Sequence, residues 1–130
     1  MASIFSKIIA GEIPCFHIAE NEGFFSFLDV RPMQKGHVLV VPKKEVDYVF
    51  DLEDGEYLRF FSFAKSVASA LKKAVPCKKV GIAVVGLEVP HAHIHLVPLN
   101  EVGDMVFGSH KEVSQEEMES IALQIKSFLK

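Results

Sequence analysis

Three histidines, His91, His93 and His95, occupy alternate positions in PHAHIHLVPLN, the stretch from Pro90 to Asn100, and make up half of the chain's six. Side chains alternate faces along a strand, so the three imidazoles share one face while Ala92, Ile94 and Leu96 take the other. A helix would scatter the rings around its axis, and the flanking Pro90 and Pro98 disfavour one. Such a row admits three readings: a metal site, a catalytic device, or a surface accident. The consistently apolar opposite face argues against accident.

A single metal fits the spacing poorly. His-x-His is a legitimate ligand pair, since neutral imidazole binds zinc at about 2.0–2.1 Å. The outer two Cα atoms, however, lie roughly 13 Å apart at the rise of a strand. No carboxylate or cysteine adjoins the run to complete a set; Glu88 precedes it in a turn and Glu101 lies beyond it. Phosphate chemistry suits the row better. One neutral ring is a nucleophile when its other nitrogen carries a proton held by a backbone acceptor. A neighbouring protonated ring can bind phosphoryl oxygens and supply a proton to the leaving group. Crowding disfavours double protonation and a bound anion favours charge, so the pair can hold one ring neutral and its neighbour cationic.

The elements that must position these rings can be read from periodicity. The 130 residues, 49% hydrophobic and 24% charged, predict a single domain over residues 1–130. No apolar run approaches the roughly 20 residues of a membrane span. The start, MASIFSKIIAGEIP, lacks a signal-peptide pattern, so the expected residence is cytoplasmic. Cys15 and Cys77 form no CxxC pair and read as buried free thiols. With 14 basic and 17 acidic residues well mixed, the chain offers no broad basic face for a nucleic-acid polymer. Any anionic ligand must be held by a local site.

Ser3 caps a short helix through Ala10, stopped by Gly11. CFHIAENEGFFSFLDV reads as two strands around Asn21-Glu22-Gly23, and HVLVVPKK as a third. From Asp54 to Val75, apolar residues recur at three- and four-residue steps until Pro76 ends the helix. KVGIAVVG and AHIHLVPL supply two more strands, with EVGDMVFGSHK as an irregular connection after them. Ser114 and Glu117 predict a capping box for a last helix over about 114–129. The grouping of short strands predicts an α+β fold: about five antiparallel strands with two main helices on one face.

The run His91-Ala92-His93-Ile94-His95-Leu96-Val97 resembles the histidine-triad signature, His-φ-His-φ-His-φ-φ with φ apolar, of the HIT superfamily. SIFSKIIAGEIP resembles the family's N-terminal segment. FLDVRPMQKGHVLVVPKK resembles its Asp-φ-x-Pro…Gly-His stretch. The likeness covers roughly Ser3 to Asn100 and is to Hint-like and bacterial HIT nucleotide hydrolases. It implies a homodimer whose two sheets join into one, and a purine nucleotide or nucleotide conjugate as ligand, with no cofactor. It further implies cleavage at the α-phosphate, as in a phosphoramidase or dinucleoside polyphosphate hydrolase.

By position in that likeness, His93 is the nucleophile and forms a nucleotidyl-histidine. His95 contacts phosphate and aids the leaving group, and His91 and His37 orient the site. Asp29 holds ribose hydroxyls. Phe5, Ile8, Phe27 and Leu28 correspond to the base pocket, and backbone near Val89 to a phosphate contact. Each has a plainer reading: a loop-end histidine for His37, a turn cap for Asp29, ordinary core for the apolar residues. His17 and His110 match no motif. The family's asparagine and glycine-rich loop before the triad are replaced by VVGLEVPHAH, which carries no amide side chain and brings in Glu88. Three functions therefore stand: a HIT-type hydrolase or transferase, an AMP-sensing module with little turnover, and a metal-assisted hydrolase using the triad as ligands.

Overall fold

The computed structural model describes residues 2–129. Its elements run α1 (Ile4–Ile9), β1 (His17–Glu20), β2 (Phe24–Leu28), β3 (Val38–Pro42), α2 (Asp54–Ala74), β4 (Lys79–Ala83), β5 (Ile94–Leu99) and α3 (Gln115–Ser127). Short 3-10 turns add Val49–Asp51 and Val102–Asp104. The five strands form one antiparallel sheet in the order β1-β2-β3-β5-β4. This is the α+β fold that the grouping of strands predicts. No described helix is long and apolar enough to cross a membrane.

Local chemistry accounts for the boundaries. Asn21 Oδ1 accepts the N–H groups of Gly23 and Phe24, which closes the β1–β2 turn. Gly36, at φ +92°, makes the turn into β3 in the left-handed region and lies against Val75 and Leu71, where a Cβ would crowd both. The stripe on α2 buries Phe60, Ala64, Val67 and Leu71 against the sheet. Helix α3 adds Met118, Ile121, Ala122 and Ile125 to the same core. On the opposite face of the sheet, α1 lays Phe5 over a second cluster formed by Phe25, Phe27, Leu39 and Val41.

Four expectations change in detail. Strand β5 begins at Ile94 rather than Ala92, because the ladder carbonyl of Pro42 is taken by the His91 ring and the Ala92 N–H turns to Val46 O. The capping box on α3 is half formed: Ser114 Oγ accepts the Glu117 N–H at 3.1 Å, but the Glu117 carboxylate pairs with Lys35 at 2.8 Å. The cysteines are free, yet only partly buried. The connection after β5 is irregular but anchored, since Gln34 Nε2 donates to Asp104 O and Lys111 N–H donates to Pro32 O. These bonds strap residues 102–111 beside the 29–34 loop.

Candidate active site

The extended chain leading into β5 places Ala92, Ile94 and Leu96 in the core under the helices and turns the histidines to the α1 side. The sheet register then sets His95 between Leu39 of β3 and Ala83 of β4. His37, just before β3, comes against it: His37 Nε2 and His95 Nδ1 lie 3.0 Å apart. All four rings are buried.

Fixed partners decide which nitrogen of each ring carries the proton. His91 Nε2–H donates to Pro42 O at 2.8 Å, and its Nδ1 accepts from the Ser3 hydroxyl at 2.7 Å. His93 Nδ1–H donates to the His91 carbonyl at 2.8 Å, which leaves its lone pair on Nε2. The Met33 N–H donates to His37 Nδ1 at 3.0 Å, so the His37 proton sits on Nε2 and is given to His95 Nδ1. His95 therefore keeps its own proton on Nε2. A nitrogen lone pair on His93 and an N–H on His95 are the free functional groups of the row. The two rings stand edge to face with centroids 4.9 Å apart.

Burial governs the charge. It pushes His37 down to about 3, helped by the neighbouring His95 and His93. It pushes His95 down to about 4, with His93 adding to the effect, and it also lowers His93. The cationic neighbour expected from sequence is thus not the ligand-free state: all three rings are neutral near pH 7. Asp29 shifts the other way, raised chiefly by burial, although its Oδ1 accepts the Arg31 N–H at 2.8 Å. Its approach to His37 Nε2 at 3.6 Å is a contact with a neutral ring, not an ion pair.

His93, His95, His37 and Asp29 line one cleft of about 490 Å³, with Phe5, Leu39 and Val89 on its apolar wall. Other expected residues sit elsewhere. His91 is fully buried behind the cleft. Phe27 backs Phe5 at a ring distance of 5.6 Å instead of facing the ligand space. Ile8 packs on the same cluster. Leu28 is a correction: strand alternation turns it to the helix side, where it joins the main core. Val30, two residues on and past the end of β2, lines the cleft. Glu88 does face the cleft, and its charge is felt at both Asp29 and His93.

Several contributors escaped the sequence. Ser3 reads as a helix cap, and it is one, but the same hydroxyl also reaches His91 across the fold. Phe107, from the irregular connection, stacks edge-on against His95 at 5.1 Å. Arg31, Ser109 and His110 line the cleft as well. Nothing local in the sequence marks these, because two loops meet there.

The fold also supplies what the linear spacing lacked for a metal: Asp29, His37 and His95 hold potential ligand atoms within 4.8 Å of one another. The hydrogen bonds oppose that use. A metal on His37 Nε2 requires the ring proton on Nδ1, which faces the Met33 N–H donor. Donor would meet donor, so the three residues fit a shared proton better than an ion.

Residues 10–102 match the HIT domain family. Along its whole length the chain is 31% identical to the adenosine 5′-monophosphoramidase of Schizosaccharomyces pombe, over 133 aligned residues that cover 100% of both proteins. A Hit-like protein of Bartonella henselae superposes with a TM-score of 0.85 at 26% identity, covering 98% of this chain and 96% of that one. A zinc-bound histidine triad family protein of Mycobacterium smegmatis gives 0.82 at 25% identity, covering 98% and 93%.

Proposed function

The chain belongs to the HIT domain family, and from that premise we propose that it is a nucleotide hydrolase or transferase acting at an α-phosphate through His93. The substrate class we assign is purine nucleoside 5′-phosphoramidates or related conjugates such as dinucleoside polyphosphates. One observation carries the reading. The His91 carbonyl holds the proton of His93 on Nδ1, so the nucleophilic lone pair stands on Nε2 of a ring lining the cleft.

Attack by that lone pair forms an N–P bond as the bond to the leaving group breaks. A phosphoramidate's nitrogen takes a proton from solvent to leave as the neutral amine, and the proton is returned when water cleaves the intermediate. The developing imidazolium charge is stabilised by the Nδ1–H bond to the carbonyl. His95 Nε2–H lies beside the attacking ring and donates to phosphoryl oxygen. Its Nδ1 is occupied by the His37 proton, so His95 acts as a directed neutral dipole. Water then cleaves the nucleotidyl-His93, releasing the nucleotide. Asp29 accepts from ribose hydroxyls, and Phe5, Val30 and Val89 border the base and sugar. The likeness to the fission-yeast phosphoramidase supports the substrate class.

Adenosine 5′-phosphoramidate should yield AMP with the wild-type protein and none with His93→Ala. Equal inertness of the two proteins would defeat the enzymatic reading. An AMP-sensing module is the second reading, favoured by a cleft whose described lining residues include Glu88 and no amide side chain. Rapid trapping of nucleotidyl-His93 would dismiss it.

We further propose a homodimer joined at the free edge of β4, the last strand of the sheet, where Ile82 is exposed. Sedimentation should show two chains for the wild type and one for Ile82→Lys; a wild-type monomer would remove this part.

A further inference from the structure

The cleft contains one arrangement that the chemistry above does not use. Arg31 Nη2 donates to His110 Nδ1 at 3.3 Å, and both residues line the cleft. Their placement is built into the backbone. Arg31 follows a turn closed by its own N–H on Asp29 Oδ1, and His110 precedes Lys111, whose N–H is bonded to Pro32 O at 2.8 Å. Two loops far apart in sequence are thereby pinned side by side.

A guanidinium is a fixed cation with five N–H donors in a planar fork suited to phosphate. Among the described residues no carboxylate lies within ion-pair distance of Arg31. Its side-chain bond goes to an imidazole, which accepts one of the five hydrogens and leaves the others for a ligand. Arg31 is also the sole lysine or arginine among the described residues that line the cleft. Burial keeps His37, His93 and His95 neutral, and the carboxylates of Asp29 and Glu88, which also line the cleft, do not attract anions. A second anionic group on a substrate therefore has one cation to meet.

We infer that Arg31, positioned by His110, forms a second phosphate subsite at the rim of the cleft, taking a phosphate that the substrate carries besides the one His93 attacks. The inference rests on the nucleotide reading above and sharpens it toward doubly phosphorylated nucleotides. The second phosphate can come from the leaving-group side of the α-phosphate. It can equally come from the ribose, whose hydroxyls would lie at Asp29, the residue whose carboxylate accepts the Arg31 N–H.

Calorimetry with AMP, ADP and adenosine 3′,5′-bisphosphate separates these sources. The wild-type protein should bind one of the two doubly phosphorylated nucleotides about tenfold more tightly than AMP, the scale of a charge-assisted contact. Arg31→Gln should abolish that preference, and Arg31→Lys should keep part of it. Preference for ADP assigns the leaving-group side, and preference for the bisphosphate assigns the ribose side. A wild type with no preference over AMP, or an Arg31→Gln protein that retains the preference, overturns the subsite. Binding of AMP without preference breaks the subsite alone, whereas no binding of any of the three breaks the nucleotide reading with it.

Discussion

The two faces of the central sheet are buried to the same degree and do opposite things. Along one segment, Ala92, Ile94 and Leu96 are 1%, 0% and 2% exposed, while His91, His93 and His95 are 0%, 6% and 9% exposed. On the helix side, burial is its own reward, since apolar surface leaves water and nothing else is required. On the histidine side, burial is tolerated because each ring has a polar partner. Ser3, Pro42, Met33 and the His91 carbonyl supply those partners. Among the described residues no buried side-chain polar atom is left without a partner. The contrast teaches that a buried face becomes reactive when its partners use all but one nitrogen of a ring. His91, with both nitrogens bonded, belongs to the scaffold; His93 and His95 each keep one free.

The widest separation of the two faces should come from His93→Ala. Turnover is expected to fall by roughly 10³-fold or more, as for loss of a nucleophile, while stability changes by only about 1 kcal/mol because the site opens to water. Denaturant titration alongside the phosphoramidate assay checks both, and a large stability loss would merge the two faces into one. Ile94→Ala, one residue further along, should do the converse. It is expected to cost about 3 kcal/mol through the cavity it leaves, with kcat per folded molecule nearly kept.

Acid should discriminate between the faces next. Unfolded histidines titrate near 6.5, whereas His37 and His95 in the fold sit at about 3 and about 4. Between these limits the unfolded chain binds more protons than the folded one. The contribution of these two rings is therefore complete above pH 6.5, is lost as pH falls from there through about 4 and about 3, and changes no further below that. A fall in Tm of roughly 10 °C between pH 7 and 4.5 is expected. His37→Asn should flatten that slope, and an unchanged slope would refute the assignment.

The smallest effect is assigned to Ser3→Ala, which removes both the helix cap and the His91 partner. A loss of about 1–2 kcal/mol is expected. The ring nitrogen shifts of His91 in NMR should move as well, a change that loss of the cap alone would not produce.

Much of this was legible in the chain itself. Strand periodicity is a local property of the backbone, so the shared face of the three histidines and the apolar face opposite followed from spacing alone. Helix α2 and the Asn21–Gly23 turn were equally local. The misreadings have a common cause. The family likeness puts Leu28 in the base pocket with Phe27, though neighbours on a strand face opposite ways. The carboxylate that completes a cluster with His37 and His95 was missed because Asp29 is distant in sequence. Ser3 reads as a helix cap from its local position, which carries no sign of His91.

The sequence by itself determined the fold class, the row of imidazoles on one face and the apolar residues set between them, since these depend on residue type and a two-residue repeat. The tertiary structure alone decided the protonation of each ring, which wall of the cleft is cationic, and which histidine is scaffold. A tautomer is set by whatever donor or acceptor lies within 3 Å, and here Met33, Pro42 and Ser3 arrive from segments brought near only by folding.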